Sequence, residues 1–313
     1  MADIKFGPIY TAIEDLMGPV ELAEKCEAWG YDSFWVPDYV LKPRLDALTI
    51  LSAVSQKTSR IQLGTAVLVL PYKHPLLLAK TALSVDVLSG GRLLLGVGIG
   101  ADPIEFDVLG LDIRERGRIS DERLEILTRV FTETHVTHQG RFHQFRDVSL
   151  GPPSIQKPHI PIWVGALWRG QWAEGAIRRT ARYADAFVPA EATVEAYKEA
   201  MERISRQAEA IGRDPSTIEW ALFLWLCMDQ DREKARQKAT KELGRRLGRD
   251  TEVEFGRSTA LGTPQECIQV IEEYVNIGVT HIVLDAGCPP EELVEQYQRA
   301  AQEIVPHFKS STI

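Results

Sequence analysis

The sequence predicts an α/β fold closed as a (β/α)8 TIM barrel with insertions in its βα loops, on three observations. Short β-branched and aromatic runs alternate with segments of helical period, and eight such units can be counted, as a barrel requires. The strand runs are continuously apolar rather than alternating, which implies a parallel sheet covered by helices on its outer face. Finally, 313 residues suit one barrel, and no linker or composition break divides them, so residues 1–313 read as a single domain.

The first unit is a strand at 3–7 (DIKFG) and a helix at 18–29, with Pro19 in its first turn and Gly30 as its stop. Strand 32–38 (DSFWVPD) precedes a helix through 46–58, and strand 61–70 (IQLGTAVLVL) precedes a helix at 75–89 that His74 and Pro75 open and Gly90-Gly91 end. Strand 92–98 (RLLLGVG) is followed by a helix from about Arg118 to Thr132. Strands 160–166 and 184–190 precede helices 171–183 and 193–211. The long run 217–228 (TIEWALFLWLCM) precedes a charged helix near 231–247, and helix 264–277 leads to strand 280–286 and a last helix, 290–305. Two segments fall outside the repeat. Residues 134–159 read as an insertion with a short hairpin turning at Gln139-Gly140, and residues 244–262 read as a mobile loop.

The composition, 44% hydrophobic and 26% charged, is that of an ordinary globular protein and excludes a disordered chain. No stretch reaches the roughly 20 apolar residues that cross a bilayer, and the N-terminus lacks the apolar centre of a signal peptide. The four cysteines, Cys26, Cys227, Cys267 and Cys288, are widely spaced, with no CxxC and no histidine at ligand spacing. These features predict a cytoplasmic protein with no structural metal. A net charge of −8 argues against nucleic acid.

In a barrel the active site lies at the C-terminal ends of the strands, and that rule selects residues before any motif does. The densest glycine run is GGRLLLGVGIGADPIEF (90–106). Gly96, Gly98 and Ala101 satisfy the loose dinucleotide pattern, but Asp102-Pro103 follows where a helix should open, after three earlier βα units, so the context is wrong. Close strand packing accounts for Gly96; Gly98 and Gly100 fall at the strand mouth, where a missing Cβ lets a ligand approach.

Asp38 ends the second strand, and two readings stay open for it: a hydrogen-bond acceptor or proton carrier for a ligand, or a cap for the following loop against which Tyr39 packs. Trp168, Arg169 and Trp172 cluster after the fifth strand, where Arg169 and the free amides of the next helix would make an anion site. The alternative is an amphipathic surface or an oligomer contact. Phe6, Trp168, Trp172, Trp225 and Met228 suggest an apolar substrate pocket, or else barrel core. His135, His138 and His143 in the hairpin read as surface polarity, and His281 as a satisfied barrel histidine. Arg245, Arg246, Arg249 and Arg257 either close over an anionic tail or form a solvated basic face. Hydrolase and kinase motifs are absent.

Several of these stretches resemble one family. LGTAVLVLPYKHPLLLAK (63–80), DVLSGGRLLLGVGIG (86–100), ERGRISDERLEIL (115–127), KPHIPIWVGA (157–166) and LGTPQECIQVIEEYVNIGVTHIVL (261–284) are similar to the luciferase-like monooxygenase superfamily, and more narrowly to its coenzyme F420-dependent branch. The resemblance implies a barrel, commonly a homodimer, that binds F420 or, alternatively, FMN across the strand mouths, with a small organic substrate. In such proteins the tricyclic ring rests on a bulge in the third strand containing a non-proline cis peptide; the matching residues are Thr65, Ala66 and Val67, with the cis step at Ala66–Val67. Gly98, Ile99, Gly100 and Ala101 match the segment that approaches the ring and phosphate side, and Gly165, Ala166 and Leu167 the segment that holds the phosphate.

Two positions depart from the F420-dependent alcohol and sugar-phosphate dehydrogenases, which carry a histidine where this chain has Tyr39; the sugar-phosphate type also has a glutamate where this chain has Ala101. Tyrosine, with an ordinary pKa near 10, gives a proton more readily than it takes one at neutral pH. The expectation is therefore a reductase or monooxygenase with Tyr39 as proton donor and Asp38 as a cofactor contact. A non-catalytic flavin-binding barrel is the third reading, because the histidine and glutamate are missing.

Overall fold

The protein is described by a computed structural model over residues 3–11, 17–248 and 258–309. Within these residues eight parallel strands build the wall. They are β1 (Lys5–Pro8), β2 (Ser33–Val36), β3 (Gln62–Thr65) with its continuation β4 (Leu68–Val69), β5 (Leu93–Gly98), β8 (Ile162–Leu167), β9 (Ala186–Ala190), β10 (Glu219–Met228) and β12 (His281–Ala286). Around them lie α1 (Pro19–Ala28), α2 (Ala47–Ser55), α3 (Pro75–Leu88), α4 (Pro103–Val108), α5 (Arg116–Thr132), α6 (Glu174–Tyr183), α7 (Val194–Ala210), α8 (Arg232–Leu247), α9 (Pro264–Val275), α10 (Leu293–Glu303) and α11 (Val305–Phe308).

The wall runs β1-β12-β10-β9-β8-β5-β3-β2, every pair parallel. It closes where Ile9 bridges Trp35 and the Tyr10 amide donates to the Trp35 carbonyl at 2.7 Å. The strand runs are continuous in hydrophobicity because both faces are buried. Ile9, Trp35, Leu94, Trp163, Val188 and Val283 fill the inside of the barrel, and a larger apolar layer lies between wall and helices. Local chemistry sets the helix ends. Asp46 caps α2 through the Thr49 amide at 2.9 Å, Thr263 and Glu266 form a capping box on α9, and Gly30, at φ 89°, follows α1.

The insertion at 134–159 does contain a hairpin, β6 (Val136–Gln139) and β7 (Gln144–Val148), closed by the Gly140 amide on the His143 carbonyl. Three expectations need correction. Asp102-Pro103 does not block a helix: Asp102 caps α4 through the Ile104 amide and Pro103 stands at its first position, where a missing N–H costs nothing. The segment 244–262 is not one loop, since its first residues complete α8 and its last form β11 (Thr259–Gly262), parallel to β10; residues 249–257, with Arg249 and Arg257, lie outside the described residues. His138 and His143 are not surface polarity either. Glu122 of α5 accepts the Phe142 and His143 amides and contacts the His138 ring, which pins the hairpin to that helix. Among the described residues no helix is long and apolar enough to cross a membrane.

Candidate active site

The third strand breaks at its mouth end. After Thr65 the chain makes a cis peptide bond between Ala66 and Val67 and resumes as β4, so two half-buried residues form a shelf at the barrel mouth. The shelf is tied on both sides. The Ala66 amide donates to the Val36 carbonyl at 2.9 Å, and the Thr65 hydroxyl donates to the Gly96 carbonyl at 2.7 Å.

Glycines on β5, beside it, and on β8, one strand further along the wall, make room for it. A Cβ on Gly96 would stand 1.8 Å from the Thr65 carbonyl oxygen, one on Gly98 would lie 2.7 Å from Val67 Cγ2, and one on Gly165 would lie 2.8 Å from Val67 Cγ1. Gly98 was read above as an opening for a ligand; in the structure the space its side chain would take belongs to Val67. Gly100, at φ 74°, has both a left-handed backbone and Val69 and Phe106 pressed against it. Ile99 and Gly100 are half-buried, and Ala101 and Leu167 are exposed at the rim beside the half-buried Ala166.

Beneath the shelf the barrel is filled by aromatic rings. The Trp35 and Trp163 rings lie 4.9 Å apart, and the His281 ring meets both edge-on. Trp35 lies flat against Gly64, where a Cβ would stand 2.0 Å from its ring. Its indole N–H donates to the Ser33 hydroxyl at 2.8 Å, and that oxygen is 2.7 Å from His281 Nε2. His281 is fully buried, and burial holds its imidazole below the ordinary histidine value against the pull of Glu219. Its Nδ1, 3.7 Å from Glu219 Oε1, has no hydrogen-bond partner among the described residues, so the satisfied barrel histidine expected from the sequence is met at Nε2 only.

Asp38 neither caps its loop nor stands open to the mouth. Its side chain is 2% exposed; Oδ1 lies 3.1 Å from Lys73 Nζ, and Oδ2 accepts the Val69 amide at 3.3 Å. Burial raises its pKa, against the pull of Lys73 and of the Val69 amide. Asp38 thus braces β4, the far end of the shelf. The next residue, Tyr39, is 38% exposed at the mouth, with Lys42 Nζ 4.7 Å and Arg44 Cζ 5.1 Å from its ring centroid. Desolvation of the phenol raises its pKa and Asp285 and Glu105 add to this, while Arg44 and Arg246 oppose it. The loop after Tyr39 is held by buried Glu105 of α4, which accepts the Val40 and Leu41 amides at 2.9 and 3.0 Å.

The expected apolar pocket is not assembled as the sequence suggested. Phe6 is fully buried outside the wall, its ring 5.5 Å from Phe308, because its position on β1 points toward the helices. Trp172 is buried against Phe187 and donates to the Ala196 carbonyl at 2.7 Å, joining α6 to α7. Trp225 and Met228 belong to the same outer layer of the core. Trp168 is half-buried, its amide donating to the Ala190 carbonyl. Arg169 is not an open anion receptor, for its guanidinium pairs with the buried carboxylate of Glu191.

Sequence reasoning missed three residues here. Lys73 and Glu105 lie inside the runs 63–80 and 90–106, and only the closed barrel brings them to Asp38 and to the loop after Tyr39. Arg44 stands on that same loop, five residues from Tyr39. Arg246 was part of a basic run; it leaves the run to bond Asp285 at 2.6 Å and the Ala286 carbonyl at 3.1 Å. Arg245 turns instead to Glu242 of its own helix.

The model of the luciferase-like monooxygenase family matches residues 3–281, most of the barrel just described. The chain belongs to this family. Membership of the luciferase-like family makes it an oxidoreductase by class. One relative, the F420-dependent glucose-6-phosphate dehydrogenase of Amycolatopsis mediterranei (strain U-32), is 25% identical over 96% of this chain and 98% of its own length. The 4-hydroxyprotoasukamycin monooxygenase of Streptomyces nodosus subsp. asukaensis is 31% identical over 53% of this chain and 48% of its own length. Among solved structures, a monooxygenase from Streptomyces bottropensis has the same fold, with a TM-score of 0.82 and 24% identity over 97% of this chain and 100% of that one.

Proposed function

We propose that this luciferase-like protein is an F420-dependent oxidoreductase that passes a hydride between the deazaflavin and a small organic substrate. The observation that carries the proposal is the apolar shelf, Ala66–Val67, at the mouth of a barrel filled beneath it by Trp35 and Trp163, with Tyr39 exposed just past the end of the neighbouring strand β2. The similarity to an F420-dependent dehydrogenase over nearly the full length of both chains supports the choice of coenzyme.

The residues fit a flat, largely apolar ring. Ala66 and Val67 offer it a wall with no polar side chain, and Ile99, Gly100 and Ala101 a small-residue rim on the adjoining strand. Gly165, Ala166 and Leu167 stand where the phosphate side would lie. Deazaflavin, when bound, supplies a ring carbon that carries a hydride but does not support the oxygen chemistry of FMN. The Trp35 and Trp163 rings fill the barrel below the shelf. Asp38 keeps the shelf in place through Val69 and Lys73 rather than moving a proton. Tyr39, whose phenol is held protonated well above neutral pH, donates its proton at Oη to the substrate heteroatom beside the carbon that receives the hydride, and regains one from solvent.

Side-by-side absorption titrations of the purified chain with F420 and FMN test the reading. Saturable F420 binding with no oxygen uptake supports it. Tight FMN binding with oxygen consumption by the reduced flavin would replace it with the monooxygenase reading, which the 31% identity to a monooxygenase over half the chain favours. Binding of neither coenzyme would end both.

A further inference from the structure

Arg44 stands beside Tyr39 with two donors unanswered. Its Nε and Nη1 are sealed from solvent, and among the described residues neither has a hydrogen-bond partner. Buried polar groups in native folds are normally paired, and a cationic donor left alone is the costliest exception.

The nearest anion does not relieve it. Asp285 accepts from Arg246 at Oδ2, 2.6 Å away, and from the Thr11 hydroxyl at Oδ1, 3.2 Å away, so both carboxylate oxygens are engaged. Glu105 is turned to the Val40 and Leu41 amides, and Asp38 and Asp46 to Lys73. Among the described residues the cations around Tyr39 therefore outnumber the carboxylates left to balance them: Arg44 and Lys42 both lie over its ring, with Arg246 close by. Burial holds the Arg44 guanidinium below its ordinary pKa, Tyr39 and Asp285 pull the other way, and Arg246 adds to the depression. A negative group at this point would satisfy the orphan donors and restore the charge.

We infer that Arg44, with Lys42, anchors an oxyanion, a carboxylate or a phosphate ester, carried by the substrate. This rests on the redox reading above, which assigns the coenzyme phosphate to Gly165–Leu167 on β8. In the wall order β8 is separated from β2 by β5 and β3, so an anion held on the loop after β2 is a second one. Guanidinium suits either oxyanion, with charge-assisted hydrogen bonds about twice as strong as neutral ones.

The test titrates the whole chain by calorimetry with inorganic phosphate and with acetate, with and without saturating coenzyme. The comparison uses wild type, R44M, R44K and R114M, the last removing an exposed arginine already paired with Asp112. One-site binding that weakens about tenfold in R44M, survives in R44K and is unchanged in R114M is expected. The tighter of the two probes tells a phosphate ester from a carboxylic acid. Coenzyme affinity should be equal in wild type and R44M. No binding of either anion by wild type, or equal binding by R44M, overturns the inference. So does a loss of coenzyme affinity in R44M, because the anion would then be the coenzyme's own. Arg44-dependent anion binding by a chain that takes neither coenzyme would keep the anion site and sink the redox reading alone.

Discussion

The α-carbon of Gly96 faces the Thr65 carbonyl so closely that a methyl group there would stand 1.8 Å from the oxygen, inside any permitted contact. Both residues are buried backbone of adjacent strands, so neither can rotate away. The shelf at Ala66–Val67 exists only because β5 leaves that space open.

Gly96→Ala should therefore lower stability by about 1–3 kcal/mol, or more if the strands cannot separate. It should also weaken coenzyme binding by displacing the shelf. Gly18, extended at φ −65° with nothing within 4 Å of a new Cβ, is the control, and Gly18→Ala should cost no more than about 1 kcal/mol, the loss of a better N-cap for α1. Urea unfolding of the two variants checks this; equal midpoints would remove the steric argument.

Tyr39→Phe keeps the ring over which Lys42 and Arg44 lie and deletes only the hydroxyl. Turnover should fall by at least about tenfold while the coenzyme dissociation constant stays the same, the pattern for loss of a general acid. Steady-state kinetics with a direct binding titration separates the two, and unchanged turnover takes Tyr39 out of the mechanism.

Asp38→Asn retains an acceptor for the Val69 amide and loses the charge facing Lys73, which still has Asp46 at 3.5 Å. The expected cost is about 1–3 kcal/mol, with looser coenzyme binding because β4 loses its brace. A protein as stable as wild type, with the same affinity, would show that the brace is not needed.

His143 sets a pH dependence. Its Nε2 accepts from Arg123 Nε at 3.1 Å, and its ring lies 5.1 Å from that of His74. Burial, then Arg123 and His74, push its pKa down to about 4 from the usual 6.5. The folded state favours the neutral ring, so the unfolded chain binds the extra proton between these values. Stability from this site is full above pH 6.5 and is lost as pH falls toward 4. His143→Gln should flatten the fall in melting temperature over that window. An identical profile in the variant would place the acid sensitivity elsewhere.

Sequence alone determined the barrel, because continuous apolar strand runs and helix signals such as Pro19, Asp46, Pro75 and Thr263 act within a few residues of one another. It also determined the position of the shelf, through a motif continuous along β3. What it left undecided was side-chain direction. Phe6 was apolar at the right strand end, yet it faces the helices, because a one-residue step along a strand exchanges inside for outside. Trp172, in the loop before α6, packs on Phe187 instead. Only the closed barrel decided that Lys73 meets Asp38, that Glu105 holds the loop after Tyr39, that Asp285 claims Arg246, and that Arg44 is left over. Those pairings join residues from 35 to 65 positions apart. Their partners are chosen by where strands end in space, which no local pattern encodes.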